Sequence, residues 1–169
     1  DVLRVEGITK SFGPVTALRG VDLHLRRGEV LGVVGDNGAG KSTTIKMLVG
    51  ILVPTRGAVT TLGLRPVADR RRLVRQVGVV FGQRSQLWWD LPVRESFRLL
   101  ASIHGLGAAR ERSRTDELVD RLEMAAYWST PVRQLSLGQR MRAEVAAALL
   151  HSPQLVILDE PTIGLDVLS

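Results

Sequence analysis

"VLGVVGDNGAGKSTTIKMLVG" runs from Val30 to Gly50, and its reading decides the fold. "VLGVVG" (30–35) is a continuous apolar run, rich in β-branched residues and ending in glycine. That pattern predicts a buried strand leading into a turn. "GDNGAGKST" (35–43) follows, and from Gly35 to Ser42 it fits the spacing G-x-x-x-x-G-K-[ST]. Ile45, Leu48, Val49 and Leu52 then recur at i, i+3, i+4 and i+7. A helix is therefore expected, ending by Pro54. Strand, glycine loop and helix in this order are the setting that a phosphate-binding loop requires.

The chemistry follows from the residue types. Glycines let the loop wrap its N–H groups around a phosphate, and the following helix adds the positive end of its dipole. Lys41 brings a point charge to the β- and γ-phosphates, and Ser42 offers a hydroxyl to Mg2+. The candidate nucleotide-binding residues here are Gly35, Asp36, Asn37, Gly38, Ala39, Gly40, Lys41, Ser42 and Thr43. A second apolar run, "LVILDE" (155–160), reads as a buried strand ending in two acids. In open α/β sheets ligands sit at the carboxyl ends of strands. Asp159 is thus expected in the Mg2+ shell, and Glu160 is expected to polarise a water aimed at the γ-phosphate.

Working outward, "LRVEGIT" (3–9) and "VDLHLRRGE" (21–29) alternate apolar and polar residues, as antiparallel strands with one wet face do. "GAVTTLG" (57–63) and "VGVVFG" (77–82) read as further strands. From Arg84 to Ala126 the periodicity is helical. Phe97, Leu100, Ala101 and His104 share one face, closed by Gly105, and Leu118, Leu122 and Ala125 share another. A later helix is expected to face inward with Met141, Val145, Ala148 and Leu149, ending before Pro153. The sum is an α/β fold with a mainly parallel sheet core, a small antiparallel β-subdomain and an inserted α-helical subdomain. A single domain is expected over 1–169. Residues 1–83 and 152–169 would form the core with its β-subdomain, and 84–151 the helical insertion.

The 169 residues carry a net charge of +6 and no cysteine, so disulfide frameworks and thiolate metal sites are excluded. The arginines are scattered, as on a solvated surface. The densest run, "DRRRLVRQ" (69–76), reads as the outer face of a helix. No apolar run approaches the length needed to cross a bilayer. "DVLRVEGITK" (1–10) lacks the basic start and apolar stretch of a signal peptide. With no initiator Met and an ending in "GLDVLS", the chain is expected to be a piece of a longer protein.

"QLSLGQRMR" (134–142) raises a separate question. Ser136 is a good N-cap, and Gln139 three residues later completes a capping box. Gly138 admits close approach of a ligand to the backbone. This is a helix tip suited to an anion, in a chain that already has a phosphate loop.

With these motifs in this order, the chain resembles the ATP-binding cassette ATPases, the P-loop motor subunits of ABC transporters, over nearly its whole length. "GDNGAGKST" looks like their Walker A loop and "LVILDE" like Walker B with the catalytic glutamate. "LSLGQ" (135–139) is similar to the family signature LSGGQ, and "GLD" (164–166) to the D-loop with Asp166 as its acid. The resemblance implies that Phe12 in "KSFG" stacks on adenine with Ala17 beside it. It also implies that Gln83 in "VVFGQRSQ" is the Q-loop glutamine, catalytic and facing Mg2+. In such ATPases two cassettes face each other head to tail, and the signature helix of one points at the γ-phosphate held by the other. Ser136, Gly138 and Gln139 would then bind the partner's ATP. Two departures from the pattern are Leu137 in place of glycine and "IGLD" in place of SALD. The family's switch histidine falls beyond Ser169, so the 169-residue chain is expected to bind ATP and hydrolyse it poorly.

The family's coupling region corresponds to "RSQLWWDLPVRESF" (84–97). There Trp88, Trp89 and Pro92 would line the groove for a helix of the membrane subunit, or else pack the core of the insertion. The wording around Gln83, the signature and "DEPTIGLD" most resembles exporters of drugs, antibiotics or polymers. Implied are ATP and Mg2+ as cofactors, and a second cassette and a separate transmembrane permease as partners. Also implied is a peripheral location on the cytoplasmic face of the membrane. A soluble cassette acting on ribosomes or nucleic acid is the alternative; such proteins carry tandem cassettes or coiled-coil insertions, and neither occurs between Lys41 and Asp159. No specific nucleic-acid partner is expected.

Overall fold

Apolar–polar alternation in the first 25 residues produces the first structure in the chain. In the computed structural model, which describes residues 1–36, 38, 40–81 and 84–160, two compact units are distinguished, Asp1–Val77 and Gly78–Ser169. The first unit opens with β1 (Leu3–Phe12) and β2 (Val15–Leu25), an antiparallel hairpin turning at Gly13. Leu3, Val5 and Ile8 of β1 point inward and are buried, while Arg4 and Glu6 point outward and pair at 2.7 Å. The helix after the glycine loop is α1 (Lys41–Leu48), and β3 (Arg56–Thr61) then pairs antiparallel with the free edge of β1. The sheet order is β2-β1-β3. A buried hydrogen bond from Thr61 Oγ1 to the Leu48 carbonyl, 2.8 Å, ties the end of β3 to the end of α1. A short helix, α2 (Arg70–Leu73), buries Leu73 and leaves its three arginines in solvent, the outward basic face expected of 69–76.

Two expectations for this unit are corrected. "VLGVVG" (30–35) is not a strand: it has no regular structure, and Val30 and Val34 are 99% and 97% exposed. A fully apolar strand holds only where neighbours pair its edges and helices cover its faces. Among the described residues no strand pairs with it. The expected Ile45–Leu48–Val49–Leu52 stripe holds only in part: Leu48 and Val49 are buried, while Ile45 and Leu52 are half-buried. The helix ends at Leu48, and it buries Thr44, Met47 and Leu48. Thr44 fits inside because its hydroxyl back-bonds to the Gly40 carbonyl at 3.0 Å.

In the second unit β4 (Val77–Phe81) and β5 (Leu155–Asp159) are neighbours in a two-stranded sheet. Between them in sequence lie α3 (Val93–His104), α4 (Ala108–Arg121) and α5 (Leu137–Leu149). Gly105 caps α3 in the left-handed conformation, φ 68°, as its position after the periodic run predicts. Phe97, Leu100 and Ala101 are buried as expected. Phe97, 1% exposed, meets Trp128 edge-on at 4.9 Å, and its burial contributes about 2 kcal/mol. Leu118 is buried, but Ala125 is not, because α4 ends before it and Met124 takes the inner position. His104 stacks on His151 at 4.0 Å, and burial lowers its pKa.

Two further expectations are corrected here. β5 is not buried on both faces: Leu155, Ile157 and Asp159 are buried, while Val156 and Leu158 are 37% and 41% exposed. The inner face of α5 is built from Ala143, Ala146, Ala147 and Ala148, and of the expected inner residues only Ala148 is buried. Ala143, Ala146 and Ala147 pack in the core with Phe97, Leu100 and Leu118, while β4 passes so close to the end of the helix that a Cβ at Gly78 would overlap the Ala148 carbonyl oxygen. Met141 and Val145 are half-buried.

Candidate functional site

In the stretch expected to hold phosphate, Gly38 and Gly40 are left-handed, at φ 90° and φ 84°. Only glycine adopts that conformation without a penalty of about 1 kcal/mol. Gly40 is doubly constrained, since a Cβ there would lie 2.9 Å from the Ala17 carbonyl and closer still to Leu18. The loop thus seats directly on β2 at Ala17. Phe12 pairs with Val15 at the hairpin tip, and Ala17 lies two residues further along β2. Phe12 is 49% exposed, and Lys10 Nζ lies 5.1 Å from its ring centre.

The Lys41 ammonium folds back over the loop and donates to the carbonyls of Gly35 and Asp36, the latter at 2.9 Å. Ser42 and Thr43 lie in the first turn of α1. Gly40 caps that helix without any side chain, and no acid lies in the first turn. No side-chain acceptor of the kind that caps α5 takes the donors of this helix start. An ammonium, a hydroxyl and the N–H groups of a helix start fit a triphosphate chemically. Gly35, Asp36, Gly38 and Gly40 are described, while Asn37 and Ala39 lie outside the described residues.

In the second unit Asp159 ends β5 and is 9% exposed. Glu160 follows at φ 53°, a left-handed position that costs a non-glycine residue about 1–2 kcal/mol. Such strain is held where the turn aims a side chain. Among the described residues no three acidic or histidine side chains gather into a cation cage. A nucleotide-borne Mg2+ needs none, because it takes one or two protein oxygens and completes its shell with phosphates and water. Gln83 and Asp166 lie outside the described residues.

The start of α5 is built as its sequence predicts. Ser136 Oγ accepts from the Gln139 N–H at 3.2 Å, and Gln139 Oε1 accepts from the Ser136 N–H at 2.9 Å. This is a complete capping box. Ser136 and Leu137 are exposed, and a Cβ at Gly138 would meet nothing within 4 Å. Trp88 and Trp89 are 38% and 53% exposed, so the core of this unit is filled by Leu87, Phe97 and Tyr127 instead. The Arg140 guanidinium lies 5.8 Å from the Trp89 ring.

One cluster escaped the sequence reading. Glu144, on the inner face of α5, is 5% exposed. One of its carboxylate oxygens accepts from the Ser85 hydroxyl, and the other accepts from the Gln86 N–H at 3.0 Å. Burial pushes its pKa up, while the Ser85 hydroxyl, the backbone N–H groups of Gln86 and Leu87, and Arg140 hold it back. A single acid inside the alanine run 143–148 was the available signal.

Comparison with known proteins agrees with this arrangement. The family described as "ABC transporter" matches residues 18–163. A daunorubicin resistance ATP-binding protein of Streptomyces coeruleorubidus, DrrA3, is 40% identical over 97% of this chain and 52% of its own length. The Nod factor export ATP-binding protein I of Ralstonia nicotianae is 40% identical over 98% of the chain and 51% of its own length. The chain thus spans about half the length of these relatives. Among solved structures, an ATP-binding subunit of an ABC transporter superposes with a TM-score of 0.88 at 31% identity, covering 99% of this chain and 69% of that one. An ATP-binding cassette solved as a dimer in a post-hydrolysis state with ADP and Pi has a TM-score of 0.84 at 27% identity, over 98% of this chain and 76% of that one. Sequence motifs, loop geometry and relatives converge: the chain belongs to the ABC transporter family and carries the fold of its ATP-binding cassette.

Proposed function

We propose that the protein is the Mg2+-dependent ATPase subunit of an export system, working as a pair of cassettes beneath a separate membrane permease. One observation carries the reading. Two helix starts differ in build: α1 opens on Lys41 behind the left-handed Gly40 and has no side-chain cap, while α5 is capped by its own Ser136 and Gln139. The first suits a nucleotide held by the chain itself. The second is an exposed tip that meets a phosphate brought from outside. Two copies arranged head to tail would satisfy both.

In this reading Lys41 holds the β- and γ-phosphates, and Phe12 and Ala17 take the adenine. Ser42, Gln83 and Asp159 provide oxygens to Mg2+, which neutralises phosphate charge when bound. Glu160 polarises the attacking water, and Gln83 helps to orient it. The partner's Ser136, Gly138 and Gln139 seal the γ-phosphate. Support for export comes from the relatives, one named for daunorubicin resistance and another for Nod factor export. The exposed Trp88 and Trp89 suit the groove for the permease, on the cytoplasmic face of the membrane. No helix of the described residues is long and apolar enough to cross a membrane itself.

The concentration dependence of phosphate release tests the pairing. With Mg2+ and saturating ATP, specific activity should rise with protein concentration at high dilution. Ser136→Ala should lower turnover about tenfold, as loss of one or two hydrogen bonds to a charged phosphate does. The same variant should lose only about 1 kcal/mol of stability, the usual value of an N-cap. Specific activity independent of concentration down to the lowest dilution, with full turnover in Ser136→Ala, would contradict the proposal.

A further inference from the structure

We propose that Glu144 is a positioning residue that locks the segment after Gln83 to the signature helix, so that a cassette's response to its own ATP and its grip on the partner's ATP move together. The inference rests on the paired-cassette reading above. The geometry is that of a two-point clamp. One Glu144 oxygen accepts from the Ser85 hydroxyl and the other from the Gln86 N–H at 3.0 Å. Ser85 Oγ in turn accepts from the Leu87 N–H at 3.1 Å. Gln86 Nε2 donates to the Val79 carbonyl at 2.7 Å, fastening the same segment to β4. The Trp88 N–H donates to Ser96 Oγ of α3 at 3.1 Å. The segment is therefore held to three elements, and Glu144 makes its hydrogen bonds to α5, beside the Arg140–Trp89 contact.

Position along the helix gives the clamp its consequence. Glu144 lies eight residues beyond Ser136, so the clamp sits about 12 Å along a rigid helix from the tip. Gln83 stands two residues before Ser85 in the chain. A displacement that starts at Gln83 thus reaches α5 through Ser85 and Gln86, and the helix delivers it to Ser136 and Gly138. Packing alone would not demand an acid here. A buried carboxylate is costly unless its hydrogen bonds are made, and a leucine of similar size would fill the space. What the carboxylate adds is a directional, two-point bond to a loop.

The test uses the protein together with its permease. Glu144→Gln keeps one acceptor and loses the other, and Ser85→Ala removes the hydroxyl. Each should lower kcat for MgATP about tenfold, inside the range common for coupled sites. Each should also bring the Hill coefficient for ATP down to about 1, with little change in melting temperature or in nucleotide affinity of the separated cassette. The double variant should fall no further than the lower single variant, and Ser85→Thr, which keeps the hydroxyl, should restore cooperativity. Wild-type cooperativity in Glu144→Gln overturns the clamp, as do effects that multiply in the double variant. Loss of activity in step with melting temperature and nucleotide affinity also overturns it, since the role would then be structural. A wild-type protein without cooperativity would instead bring down the paired-cassette reading itself.

Discussion

Replacing Glu160 by Gln is expected to lower ATP turnover by about 100- to 10,000-fold while leaving MgATP binding intact. A positioned general base is worth about that factor, or roughly 2.7–5.5 kcal/mol of barrier. Gln has the same shape and keeps a hydrogen-bond acceptor, but it cannot take a proton from water. The local geometry favours a clean result. Glu160 occupies a left-handed turn at φ 53° directly after the buried Asp159, and Gln tolerates that conformation about as well as Glu. Stability should therefore change little, and the loss should appear in kcat with no rise in KM. A variant that turned over at the wild-type rate would remove Glu160 as the base.

Lys41→Ala should act on binding. Its ammonium donates to the Gly35 and Asp36 carbonyls and so already sits over the loop that would take the phosphates. A hydrogen bond to a charged group contributes about 1.5–3 kcal/mol, so the Kd for MgATP should rise about 10- to 100-fold. Turnover should fall as well, because the same charge stabilises the γ-phosphate as it departs. Lys41→Arg should not rescue it: a planar guanidinium is bulkier and cannot replace a compact ammonium under a close-fitting loop. The two carbonyls are exposed to water, so the melting temperature should stay near that of the wild type. Equal nucleotide affinity in Lys41→Ala, measured by titration calorimetry, would contradict the assignment of the loop.

Local chemistry made much of this legible in the sequence. The spacing of Gly35 to Ser42 dictated a loop that only glycine can make at 38 and 40, and the structure bends there. The capping box at Ser136 and Gln139 depends on two side chains three residues apart, and it forms as read. Gly105 ends α3 for the same kind of reason. Failures fell where an answer depends on distant partners. "VLGVVG" is apolar enough for a buried strand, but a strand exists only with neighbours to pair it, and none of the described strands does so. The inner face of α5 was sought among its largest apolar residues. The alanines Ala143, Ala146 and Ala147 pack instead into the core with Phe97 and Leu100, while Met141 is only half-buried. An acid within a helix usually marks the wet face, and only the positions of Ser85 and Gln86 reveal what Glu144 holds.

The proposed pairing requires the tip of α5 to meet a phosphate held by a second copy. Sedimentation of the Glu160→Gln protein, with and without an added Gly138→Asp substitution, measures that directly. With MgATP the single variant should sediment as a dimer, and with MgADP as a monomer. Gly138→Asp should abolish the dimer by setting a carboxylate against the γ-phosphate, while ATP still binds each monomer. A Glu160→Gln protein that stays monomeric in saturating MgATP, or a dimer indifferent to Gly138→Asp, would contradict the account.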